Sequence, residues 1–179
     1  MKYYSISCFL SLFLMGPTVA LAQEPPKPPR LDRLATLATY LDTKVKPGHF
    51  NIGQWGSCDD PDSPGYVGCA GGYAVKLWQH EDELQLTGSM LRYVKRNGER
   101  SKCWDGYQAM QHYFLITEED AQDIFTPRGY RYIENHTDPH YAAKKIRDLI
   151  KRELREHPEY AKKAAPKRPT RYPSRLARR

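Results

Sequence analysis

The stretch Phe50 to Val75, FNIGQWGSCDDPDSPGYVGCAGGYAV, decides how the chain is read. Cys58 and Cys69 flank a segment rich in proline, glycine and acid, and the chain then becomes apolar. Val67, Ala70, Ala74, Leu77 and Trp78 recur at helical spacing, so a helix is predicted to start inside the stretch. Gly68, Gly71 and Gly72 each cost such a helix up to ~1 kcal/mol relative to alanine. Their use is close approach of another backbone, or a helix that begins only near Gly72.

Working outward, Leu31, Leu34, Ala38 and Leu41 predict an amphipathic helix over Leu31 to Thr43, ended by Pro47-Gly48. Downstream, LQLTGSMLRYVKR (residues 84–96) alternates like a strand at Leu84 and Leu86, and Asn97-Gly98 is a turn signal. A short hairpin is preferred there over a helix. Tyr107, Met110 and Phe114 mark a helix from Asp105 to about Leu115. Thr117 before Glu118, Glu119 and Asp120 is a helix start, with the acids facing the positive end of the helix dipole. Ala121, Ile124 and Phe125 are its apolar face, and Pro127 closes it. Asp138-Pro139 starts the last helix, Pro139 to about Glu156, whose stripe is Ala142, Ile146, Leu149, Ile150 and Leu154. The expectation is a mainly α domain over residues 31–156, with four or five helices and at most one short hairpin.

Three chemistries compete for the cysteine loop. Gly56-Ser57-Cys58 with Gln54 upstream is similar to the nucleophile segment of papain-like thiol proteases. However, DDPDSPG after Cys58 cannot begin the helix whose dipole would lower the thiol pKa, and His136 and His140 follow too closely. A metal site would draw on Cys58, Cys69, His80 and Cys103, or on Asp59, Asp60 and Asp62. No two of the cysteine and histidine positions have the two-to-four-residue spacing of zinc ligands, and the calcium-loop pattern is absent. The preferred reading is structural: a Cys58–Cys69 disulfide, with Cys103 reduced and at least partly buried. Such a staple stabilises by about 3 kcal/mol on the loop-entropy account. Cys58–Cys103 and Cys69–Cys103 remain open on sequence alone. No metal or cofactor is expected.

HFNIGQWG followed by GYVGCAGGYAV, with YFLITEEDAQDIF further on, resembles a family of small uncharacterised bacterial and phage proteins. Their pattern is roughly Phe-Asn/Asp-Met-x-x-Trp, then Cys-Gly-Thr-x-x-Cys-x-x-Gly-x-Ala, then a short acid-started helix. Phe50, Asn51, Trp55, Gly65, Cys69, Gly72 and Ala74 match it, Ile52 stands for the methionine, and Pro64 stands where the first cysteine falls. The resemblance implies a shared small fold and carries no activity.

The ends of the chain differ from its middle. Lys2, the apolar run Cys8 to Met15 and Ala20-Leu21-Ala22 read as a signal peptide over residues 1–22, cleaved before Gln23. An exported protein, periplasmic or secreted, is therefore expected, in a compartment where cysteines pair. QEPPKPPR, residues 23–30, reads as a polyproline spacer. From residue 157 to the end, Lys162, Lys163, Lys167, Arg168, Arg171, Arg175, Arg178 and Arg179 stand against the single acid Glu159. That surplus of seven equals the +7 formal charge of the whole chain. With few apolar residues and prolines at 166, 169 and 173, the segment 157–179 is expected to be a disordered cationic tail.

The tail's anionic partner in an exported protein is expected to be a membrane or envelope polymer, with nucleic acid the lesser alternative. Trp55, Trp78 and Trp104 read as core and core rim rather than a stacking surface. The histidines share no spacing that marks a catalytic pair. Two function classes follow. The preferred one is a small exported binding or scaffold module with a cationic tail. The other is an envelope hydrolase or thiol-redox protein using Cys58 or Cys103 with a histidine.

Overall fold

The structure, a computed structural model, describes residues 27–162 apart from 59, 79–83, 89 and 98–99. The expected signal peptide, the first half of the spacer, His80 and the tail from residue 163 onward lie outside the described residues.

Among the described residues there are five α-helices and one three-stranded antiparallel sheet in the order β1-β2-β3. The helices are α1 (Leu31–Lys44), α2 (Ala70–Trp78), α3 (Gly106–Phe114), α4 (Glu118–Phe125) and α5 (Pro139–Glu156). The strands are β1 (Leu84–Thr87), β2 (Met90–Asn97) and β3 (Arg100–Asp105). No described helix is long and apolar enough to cross a membrane.

The mainly helical reading holds, but the sheet is larger than the single short hairpin expected. Leu84, Leu86, Leu91 and Tyr93 are buried and share one face, as strand alternation requires. The third strand adds Trp104 opposite Tyr93. Its sequence, RSKCWD, holds too little apolar character to announce a strand, and backbone pairing with β2 holds it in place.

The core gathers around α2, where Ala70 to Val75 are all buried. The first six residues of α2 are enclosed, while Lys76 and Leu77 are half-buried on its last turn. α1 packs Leu34, Leu37 and Leu41 beside Ala142, Ala143 and Ile146 of α5, all fully or almost fully buried. Asp42 ties the pair at its rim, accepting from Arg147 at 2.7 Å and lying 2.6 Å from His140 Nδ1.

α4 is held on α5 by Asp120. The Thr117 hydroxyl donates to its Oδ2 at 2.7 Å, its own N–H donates to Thr117 Oγ1, and Arg152 donates to Oδ1 at 2.6 Å. Thr117 is thus the cap the sequence indicated, and its third-position acid also holds another helix.

Both ends of the domain reach slightly further than read. Arg30 N–H donates to the Phe114 carbonyl, so the last spacer residue is tied to the body. Past α5 the chain continues in a 3-10 turn, Pro158–Lys162, and Tyr160 packs against the core and stacks on His157. The described chain thus continues for one 3-10 turn past residue 156.

Candidate functional site

The segments on either side of the cysteine loop run together. Phe50 bridges Gly68 in parallel, Asn51 N–H donates to the Gly68 carbonyl, and Cys69 N–H donates to the Gln54 carbonyl at 2.7 Å. Ser57 N–H donates to the Val67 carbonyl at 2.8 Å, and Val67 N–H returns to Ser57 Oγ at 3.0 Å. The Tyr66 hydroxyl reaches the Trp55 carbonyl. The glycines make this approach possible: a Cβ at Gly72 would collide with the Trp55 carbonyl oxygen, and one at Gly71 would lie 2.8 Å from the Trp55 ring.

This brace changes the cysteine reading. Cys58, Cys69 and Cys103 are all free, and no two of them lie at disulfide distance. The expected Cys58–Cys69 staple is not seen: Cys69 is enclosed by the core, while the Cys58 sulfur lies on the Asp60 carbonyl. Cys69 points into the core, where burial pushes its thiol up to about 11. Cys58 lies on the other side, half-buried, with its sulfur on the Asp60 carbonyl. Cys103, expected to be partly buried, is exposed: it pairs with Val94 on the face of the sheet turned away from Tyr93 and Trp104.

No described hydrogen bond joins a cysteine to a histidine. His136 Nε2 meets the Tyr130 carbonyl, His49 Nδ1 the Tyr66 carbonyl, and His140 meets Asp42. Among the described residues no three His, Cys, Asp or Glu side chains converge to hold a metal ion.

A different cluster is brought together by the sheet and α3. Register pairs Tyr93 with Trp104 and Lys95 with Lys102, so all four side chains share the face that α3 covers. Tyr93 stacks on Trp104 at 5.7 Å between ring centroids, and Trp104 lies 4.0 Å from the His112 ring. Inward, Tyr93 meets Tyr113 edge-on at 5.5 Å, and Arg30 and Arg33 lie over the Tyr113 ring. Outward, Trp104 and His112 are half-buried and Lys102 is exposed. Burial first, then the Lys102 and Lys95 charges, hold His112 below its ordinary value of 6.5. The ring is therefore uncharged at neutral pH. Among the described residues neither Lys95 nor Lys102 forms an ion pair.

The result is a ledge of flat rings rimmed by two ammonium groups, at the point where the sheet outgrows the helix. Reading the sequence did not find it. The available signal was Lys95 and Lys102 about a predicted turn at Asn97-Gly98, but the strand that pairs them was not recognised.

Of the other residues singled out, Lys162 closes the final 3-10 turn, while Lys163, Lys167, Arg168, Arg171, Arg175, Arg178 and Arg179 lie outside the described residues. Fold and ledge together describe a small, mainly helical domain carrying a short antiparallel sheet with a cationic, ring-faced rim. No family model, curated protein or solved structure matches the chain.

Proposed function

We propose that the chain is a small exported binding module for anionic envelope surfaces, engaging them through the Trp104–His112 ledge and the cationic tail. The observation that carries this reading is the pairing of Lys95 with Lys102 on the face that bears Trp104 and His112. Two like charges brought together beside uncharged rings destabilise one another unless an anion sits between them. An anionic chain with sugar or ring faces satisfies both halves of the ledge, by charge neutralisation and by stacking. The tail then adds a sequence-tolerant electrostatic contribution, which is screened beyond ~8–10 Å at physiological salt.

The hydrolase or thiol-redox alternative has no comparable support. Cys58 turns to a backbone carbonyl, Cys69 is sealed in the core, and Cys103 faces away from His112.

Retention on heparin and on phosphatidylglycerol vesicles tests the proposal. The double variant K95E/K102E is expected to weaken binding about tenfold or more and to flatten its dependence on salt, with unchanged thermal stability. Removing residues 163–179 weakens it further. Wild-type binding by K95E/K102E would move the site off the ledge, and stronger retention on single-stranded oligonucleotide than on either probe would favour nucleic acid.

A further inference from the structure

The cysteine loop, left without a staple, forms the rim of a pocket between α1 and α2. Tyr40 and Lys44 stand one turn apart on α1, and Tyr73 and Lys76 stand three apart on α2, so each helix offers one ring and one ammonium group. Lys46 and His49, on the connection after α1, complete the wall of a cavity of about 230 Å³. Its shape is set by bonds that a ligand need not supply. The Tyr73 hydroxyl donates to the His49 carbonyl at 2.8 Å, and His49 Nδ1 lies 3.0 Å from the Tyr66 carbonyl. Facing a carbonyl, Nδ1 carries the proton, which leaves Nε2 to accept a hydrogen bond.

Lys76 donates to the Pro61 carbonyl at 2.5 Å and pairs with Asp62 at 3.0 Å, which pins the loop over the cavity. Among the described residues Lys44 and Lys46 form no ion pair. Tyr40 and Tyr73 lie 6.0 Å apart between ring centroids, tilted, and Tyr66 meets Tyr73 edge-on at 5.5 Å, giving the cavity an aromatic side.

We propose that this pocket binds a small phosphate monoester carried on a planar ring, with the phosphoryl group at the exposed Lys44 and Lys46 and the ring against the half-buried Tyr40, while Lys76 holds the loop alongside. The choice of phosphate rests on the cations. Ammonium groups act as compact point charges and suit a tetrahedral dianion, whereas the fork of arginine suits a planar carboxylate, and no arginine lines the cavity. The volume accommodates a single small ring, and Tyr40, backed by the buried Tyr73, supplies stacking area at little entropic cost.

The site is separate from the Trp104–His112 ledge, and so is its test. Phenyl phosphate titrated into the full chain and followed by amide chemical shifts is expected to perturb residues 44–49, 63–66 and 73–76 saturably. It should bind more tightly than inorganic phosphate, benzoate or phenol. The surface variant K44E/K46E should weaken phenyl phosphate about tenfold, and K95E/K102E should leave it unchanged. Y40A should erase the advantage of phenyl phosphate over inorganic phosphate. Equal binding of benzoate, an affinity insensitive to K44E/K46E, or shifts confined to the ledge would each overturn the proposal.

Discussion

The brace around α2 and the β2–β3 hairpin are built from similar residues and use them in opposite ways. Each holds a tryptophan, a tyrosine and a cysteine. In the brace, the Tyr66 hydroxyl bonds to the Trp55 carbonyl, Cys69 is fully buried, and glycines let the segments touch. In the hairpin, Trp104 is half-buried like Trp55 and Tyr93 is buried like Tyr66, but Cys103 is exposed and Lys95 pairs with Lys102. The same chemical types are structural where backbone closes over them and available to a ligand where the sheet outruns its covering helix. Residue type alone does not separate Cys69 from Cys103; burial does.

The sharpest way to break that contrast is thiol labelling. Under native conditions Cys103 is expected to react with an uncharged thiol reagent on the order of 10³-fold faster than Cys69, which must wait for an opening reaction. Mass spectrometry of labelled peptides checks this, and comparable rates would mean that the brace does not seal its thiol.

The next effect is steric. Gly72→Ala forces a methyl group into the Trp55 carbonyl and is expected to cost about 3 kcal/mol or more in urea denaturation. Gly48→Ala, where a Cβ meets nothing within 4 Å, should be close to neutral. Equal costs at both positions would refute close approach as the role of Gly72.

A smaller loss is expected at the clasp between α4 and α5. Asp120 is the one charged residue among the described core, and Asp120→Ala removes the acceptor shared by the Thr117 hydroxyl and Arg152, which keeps only Glu153, at about 1–3 kcal/mol. Glu119→Ala, exposed and on the same turn, serves as the control in the same melt.

The smallest effect is a pH dependence of opposite sign at two histidines. The hydrogen bond to Asp42 holds His140 above its ordinary value of 6.5. Its contribution is complete below pH 6.5 and is lost as pH rises through its raised folded pKa. Burial and the two lysines hold His112 below 6.5, so its contribution is present above that pH and fades as pH falls toward its lowered value. H140N should therefore lower the melting temperature slightly at pH 5.5 and not at pH 9. H112N should remove some of the loss of stability on acidification. An anion on the ledge offsets the lysine charges, so polyanion binding should tighten as pH falls from 7 to 5.5 in the wild type but not in H112N.

Much of the architecture was legible in the residues because it is local. The stripe from Ala142 to Leu154, the Asp138-Pro139 start and the Thr117 cap are short-range signals, and the helices they mark stand where they were read. The loop glycines also declared a close approach, though not what approached. The surroundings of the cysteines were not legible, because sequence supplies cysteines and their spacing but not the packing that encloses Cys69 and sets the Cys58 sulfur on the Asp60 carbonyl.

The chain by itself determined the helices, their caps, the turns and the uneven distribution of charge, since each follows from spacing or composition within a few residues. Tertiary structure alone decided that RSKCWD is a strand, that Cys69 is sealed while Cys103 is bare, and that Lys95, Lys102, Trp104 and His112 share one ledge. These depend on which distant segment supplies the missing hydrogen bonds and removes the water. A polar edge strand has no apolar period of its own, and its partners become visible only when the backbone has paired.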